Sequence, residues 1–216
     1  ELSNEPFACK NGAAHTCGHD FHAAMLLTAA KMLKENESAL NGTVKLMFQP
    51  AEETFDGSRE MLENGILSAP APDAALACHV SPGKIPIGFF MYNTDGALMN
   101  SVDGFKITVT GKGSHGAYPH YGVDPINIGV HIHLALQSLI ARESDPKAAS
   151  VLTIGQFQSG SAPNIIPETA VLQGTLRTDD PKDRALLLKR ITEIVGKTAE
   201  LYNGKAETEK LSSVPP

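Results

Sequence analysis

The sequence predicts an α/β protein in two parts, a mixed or parallel-sheet layer followed by a two-layer α+β unit. Three observations carry this. Over the first 97 residues helical and strand-like patterns alternate, as in sheets with parallel strands. From residue 98 the order becomes strand–helix–strand–strand–helix–strand, the split βαβ arrangement. Between them "NTDGALMNS" breaks both patterns, so the boundary falls within residues 93–102.

Taken in order, Phe21, Ala24, Met25, Thr28 and Met32 recur with a helical period. Asp20 stands where a cap belongs and its charge suits the helix dipole. "GTVKLMFQP" reads as a buried strand closed by Pro50, which cannot continue a ladder. "DGSREMLENGIL" is a short helix stopped at Gly65, and "DAALACHV" a second buried strand ending near His79, before the breaker "SPG". In such sheets ligands gather beyond the carboxyl ends of the strands, where "PAEE" and "CHV" lie.

In the second part "GFKITVT" alternates like a half-buried strand, and "DPINIGVHIHLALQSLIARE" is a long helix. "SVLTIGQFQSG" and "TAVLQGTLRT" are two adjacent strands. Asp180 and Pro181 open the clearest helix, with Leu187, Ile191, Ile194, Val195, Thr198, Leu201 and Tyr202 as its apolar stripe. A last strand covers "KAETEKL".

Composition excludes several classes. A net charge of −6 argues against nucleic acid as a partner, and no apolar run is long enough to span a bilayer. Cys9, Cys17 and Cys78 are odd in number and widely spaced, which suits a reducing compartment rather than a disulfide scaffold. With no C-x-x-C pair, a four-ligand structural zinc finger is out. The chain opens on "ELSNEPF" and stops at "SSVPP", so it reads as a piece of a longer protein.

The chemistry-bearing cluster is "HTCGHD", residues 15–20. Taken alone, Cys17 reads as a small buried hydrophobe and His19 as a satisfied polar residue. Two further features move that reading. In "QPAEE", Glu52 and Glu53 follow a strand end, and in extended chain adjacent carboxylates face opposite ways. One can then bind a metal while the other takes a proton from water on it. His79 ends the other strand on the same rim. Cysteine, histidine, glutamate and histidine together suit a borderline metal such as zinc, manganese, cobalt or nickel. "GKGSHG" fits a dinucleotide fingerprint by spacing, but Pro119 and Pro125 delay the helix that fingerprint must open.

The segments "HTCGHDFHAAMLLTAAKML", "GTVKLMFQPAEE", "DAALACHV", "GKGSHGAYPHYGVDPI" and "APNIIPETAVLQGTLRT" resemble consecutive motifs of the M20 metallopeptidase family, most of all its amidohydrolase branch of hippurate, N-acyl-amino-acid and auxin-conjugate hydrolases. The resemblance covers nearly the whole chain, in order. It implies a catalytic α/β domain over 1–97, a ferredoxin-like lid and dimerisation domain over 98–210, and a return to the catalytic domain over 211–216. It also implies two divalent ions, a small N-acyl amino acid as substrate, a homodimer through the lid, and a cytoplasmic setting. Residue by residue, it makes Cys17 a bridging thiolate, His19, Glu53 and His79 further ligands, and Glu52 the general base. His115 would steady the oxyanion, often from a partner subunit, while Asn164 and Arg177 would hold the substrate's carboxylate or carbonyl. A loop cap for Asn164 and a surface-strand arginine for Arg177 remain alternatives.

The family's aspartate loop and one further metal-binding histidine have no counterpart here, so a polypeptide of only these residues is expected to be inactive. Two alternative activities stand beside the amidohydrolase: an aminopeptidase or dipeptidase of the same family, and a non-catalytic metal-binding or dimerisation module.

Overall fold

The computed structural model describes residues 5–216 apart from 82, 84, 85, 93, 95 and 98. The chain divides into two compact units, Glu1–Phe90 and Met91–Pro216. Residues 1–4, the middle of "SPG" and three positions of "NTDGALMNS" lie outside the described residues. The architecture is mixed α/β, as the alternation of patterns implies.

In the first unit, helix α1 (His19–Glu35) starts two residues earlier than a cap at Asp20 implies. The cap position is Gly18, at φ 79°, with no side-chain cap, and Asp20 sits in the first turn. There its charge still faces the positive end of the dipole. A one-turn helix at Glu52–Thr54 precedes α2 (Gly57–Glu63). Gly65, at φ 80°, ends α2 as expected, and the Ile66 N–H closes back onto the Met61 carbonyl at 3.0 Å. Lys45 ties this end down, its ammonium donating to the carbonyls of Ile66 (2.6 Å) and Pro70 (2.9 Å).

The apolar runs "GTVKLMFQP" and "DAALACHV", expected as buried parallel strands, pair with nothing among the described residues. Val44, Phe48 and Leu76 are exposed. A parallel strand exists only between neighbours and under covering layers, and the described segments of this unit supply neither. Every buried apolar side chain among the described residues lies in the second unit.

The second unit follows the expected order. Strand β1 (Val102–Thr110) leads through a two-residue strand β2 (Ser114–His115) to helix α3 (Pro125–Glu143). Strand β3 (Val151–Ser159), a short β4 (Ile165–Ile166) and β5 (Thr169–Arg177) follow, then helix α4 (Pro181–Leu201) and β6 (Lys205–Val214), which runs beyond the expected limit of Leu211. The sheet order is β3-β5-β1-β6, antiparallel throughout, and β2 pairs with β4 apart from it. Asp124 and Asp180 cap their helices through their carboxylates, each followed by proline.

One face of the sheet meets both helices. Phe105, Ile107 and Val109 on β1 and Leu172 and Leu176 on β5 alternate inward with the strand period. They meet Ile128, Ile132, Leu136 and Leu139 of α3 and Leu187, Ile191, Val195 and Ala199 of α4. The α4 stripe differs from expectation at its end: Ala199 is buried and Leu201 is exposed, because the row spaced by four residues from Leu187 ends at Ala199. Gly129 lets α3 approach closely, since a Cβ there would lie 2.6 Å from the Phe157 ring.

A polar hub closes the end of this unit where β1 begins and β6 ends. Asp103 is buried and takes a bidentate hydrogen bond from Arg184 (2.7 and 2.8 Å), and Ser213 donates to it at 2.7 Å. The buried neighbour Asp183 accepts from Ser144, Ser150 and the Asp145 N–H. Burial alone would raise the Asp103 carboxyl, but the hydrogen bonds from Arg184 and Ser213 and the Arg184 charge hold it below its ordinary value. A depressed folded pKa contributes stability that is complete above the unfolded value, about 4, and is lost as pH falls through the folded one. Arg184→Met, which leaves a buried carboxylate without its partner, is expected to destabilise this unit by roughly 3 kcal/mol in urea denaturation at neutral pH. Thermal melts below pH 4 should fall less steeply in Asp103→Asn than in the parent.

Candidate metal centre

The site is built on the first turn of α1. Gly18 occupies the left-handed region, which glycine enters without strain. A Cβ there would also collide with Val80 Cγ2. Its absence lets residues 79–80 dock against the turn that carries Cys17 and His19. Cys17 Sγ then lies 3.6 Å from His79 Nε2.

The backbone sets the state of that imidazole. His79 Nδ1 is 2.6 Å from the Val80 carbonyl, so Nδ1 carries the proton and Nε2 presents a lone pair toward Cys17. A metal-binding histidine is commonly oriented in this way.

The carboxylates arrive from the turn at Glu52–Thr54, entered through Ala51 at φ 48°. Glu52 Oε2 lies 3.4 Å and Glu53 Oε1 3.6 Å from His19 Nε2. This corrects the expectation of extended chain with opposed carboxylates. In a 3₁₀ turn successive side chains diverge by about 120° rather than 180°, so both acids reach one imidazole.

Two donor groups result, Cys17–His19–His79 and His19–Glu52–Glu53, each with its ligand atoms within 4.8 Å of one another. Neighbouring sulfur, nitrogen and oxygen donors on a tetrahedral ion stand about 3.5 Å apart, given metal–ligand bonds near 2.0–2.3 Å. The separations of 3.4–3.6 Å match that edge. One thiol, two imidazoles and two carboxylates suit a pair of borderline divalent ions sharing His19's neighbourhood. The site is open: His79 and both glutamates are exposed, and Cys17 and His19 are half-buried. No disulfide joins the three cysteines.

Sequence reasoning did not single out His22. It lies one turn beyond His19, its Nε2 accepts the Val80 N–H at 2.9 Å, and its ring meets that of His79 edge-on at 4.3 Å. Burial, then the nearby His79 and His19, push its pKa down. The i, i+3 spacing of His19 and His22 was the available signal.

The remaining candidates lie in the second unit. His115 Nδ1 accepts the Ala117 N–H at 3.1 Å, so the neutral ring carries its proton on Nε2. Pairing of β2 with β4 brings His115 opposite Ile165, and the Gly116 N–H donates to the Asn164 carbonyl at 2.8 Å. His115 and Asn164 are therefore neighbours, both exposed. Arg177 is not with them. It ends β5, whose start at Thr169 adjoins the β2–β4 corner through the Gly111–Glu168 hydrogen bond. Roughly 27 Å of extended strand separates the two ends.

The model of peptidase family M20/M25/M40 matches residues 1–88, and that of a peptidase dimerisation domain matches residues 100–203. An N-acetyl-L-cysteine deacetylase of Bacillus subtilis is 40% identical, aligned over 100% of this chain and 51% of its own length. An IAA-amino acid hydrolase of Arabidopsis thaliana is 38% identical over 95% of this chain and 46% of its own. A thermostable carboxypeptidase of Saccharolobus solfataricus is 37% identical over 100% and 55%. Among solved structures, a dinuclear metal-binding M20 peptidase from Bacillus subtilis superposes with a TM-score of 0.74 at 33% identity, over 100% of this chain and 54% of that one. A proposed aminohydrolase from methicillin-resistant Staphylococcus aureus does so with a TM-score of 0.87 at 32% identity, over 100% and 57%. The chain spans about half the length of the curated relatives it matches.

Gly18→Ala is expected to strain the turn and push Val80, and with it His79, away from Cys17. Zinc affinity, measured by chelator competition, should fall about 10-fold or more while the helical circular dichroism stays unchanged.

Proposed function

Because the chain belongs to the M20 peptidase family, we propose that the protein hydrolyses the amide bond of small N-acyl amino acids. The observation that carries this is the pair of donor groups meeting at His19, with two carboxylates inside the same 4.8 Å limit. The deacetylase and amino-acid-conjugate hydrolase relatives support the substrate class. A thiol donor and the absence of disulfides suit a reducing, cytoplasmic setting.

Cys17, His19, Glu53 and His79 would hold two divalent ions, zinc, manganese, cobalt or nickel. Such ions, when bound, acidify water and polarise an amide carbonyl. Glu52 takes the proton of the attacking water as the new C–O bond forms. It returns that proton to the nitrogen as the C–N bond breaks, and the second proton of the water passes from the new carboxylic acid to the amine, leaving a carboxylate and an ammonium. His115, with its proton on Nε2, donates to the developing oxyanion. Asn164 and Arg177 hold the substrate's carboxylate or carbonyl, where arginine's planar fork suits a carboxylate.

The separation of Arg177 from His115 and Asn164 favours a dimer, in which the two ends of one lid serve different sites. Edge strand β3 and the exposed Ile126, Val130 and Leu134 along α3 supply a surface for a second copy. The carboxypeptidase relative favours a second reading as a peptidase. A panel of hippurate, N-acetyl amino acids and dipeptides separates the two.

Glu52→Gln is expected to retain both ions by elemental analysis and to lower kcat by about 10²–10⁴, whereas Glu53→Gln should lose metal. Undiminished turnover in Glu52→Gln would sink the assignment of the base. The double variant Val130→Asp with Leu134→Glu should sediment as a monomer, keep its metal and lose turnover.

A further inference from the structure

We infer that His22 is a positioning residue that holds the metal ligand His79 in its binding tautomer and place. The inference rests on the reading of His79 as a ligand but concerns a residue to which that reading gives no role. His22 rises from the same face of α1 as His19, and its Nε2 accepts the Val80 N–H at 2.9 Å. The carbonyl of the same residue faces His79 Nδ1 at 2.6 Å. Val80 is thus held at both its backbone groups, and its side chain rests where Gly18 has no Cβ.

The bonds form one chain. His22 fixes the Val80 backbone, the Val80 carbonyl fixes the proton on His79 Nδ1, and His79 Nε2 is left facing Cys17 Sγ at 3.6 Å. The edge-on packing of the His22 and His79 rings at 4.3 Å limits rotation of the ligand ring. His22 acts on the site through Val80 and through its ring contact with His79: its own Nε2 is already engaged by Val80, and it belongs to neither donor group found among the described residues. Without the acceptor, residues 79–80 lose a backbone tie to α1, and the His79 proton is free to move to Nε2, where it would block coordination.

The test compares His22→Leu, which deletes the acceptor, with His22→Gln, whose side-chain oxygen offers one at similar reach. Both are made in the full-length protein. Zinc affinity is read by chelator competition, and the His79 tautomer by long-range ¹H–¹⁵N correlation in the zinc-free state. The leucine variant is expected to bind one of two zinc ions 10–100-fold more weakly and to show His79 protonated partly on Nε2, while glutamine restores both readouts. Wild-type zinc affinity with an unchanged His79 signal in His22→Leu would overturn the inference. So would a glutamine variant as impaired as the leucine one, since ring bulk and not the acceptor would then matter. If the parent bound no zinc, the hydrolase reading would fail by itself, and the His79 tautomer in parent and variant would still decide the role of His22. Should His22→Leu fail to fold, His22→Asn, whose acceptor falls short of Val80, replaces it in the same comparison.

Discussion

The docking of residues 79–80 onto the first turn of α1 is the contact on which the candidate metal centre depends. It requires a backbone turn at Gly18 that only glycine adopts without strain, and an empty space where any other residue would place a Cβ against Val80. It brings a sulfur and an imidazole from positions 62 residues apart to 3.6 Å. A metal site of this kind is a non-local object: each ligand is ordinary in its own segment, and the chemistry exists only where the segments meet.

Electrostatics then act on a crowded set. Three imidazoles, of His19, His22 and His79, lie within 6.0 Å of one another by ring centroid. Burial, and after it the like charge of His79 and His19, lowers the pKa of His22. The carboxylates of Glu52 and Glu53 lie 3.4 and 3.6 Å from His19 Nε2. Imidazoles beside carboxylates form a donor set suited to cations, and the hydrogen bond of His79 to a backbone carbonyl directs its lone pair toward Cys17.

The second unit follows a different economy of forces. Its helices and sheet share one dry core, and its polar side chains concentrate at the end where the strands start and finish. There Asp103, Arg184 and Ser213 join the first and last strands to the start of α4. The opposite end carries His115 and Asn164 on a separate two-stranded pair. The sheet between the two ends keeps Arg177 and His115 far apart within one chain.

The sequence by itself determined most of the second unit, because its signals are local and repeat with the period of each element. Capping by Asp124 and Asp180, the inward alternation of Phe105, Ile107 and Val109, and the helical row from Leu187 all lie within one element each. It also singled out the candidate donors, since cysteine, histidine and glutamate carry their chemistry with them. Only the tertiary structure decided how they meet: that Glu52 and Glu53 lie in a tight turn and converge on His19, that His22 grips Val80, and that Arg177 stands apart from Asn164. The same limit explains the two apolar runs expected as strands. Their composition is legible residue by residue, but a strand is made by its neighbours, and no pattern within a segment specifies which neighbours it will have.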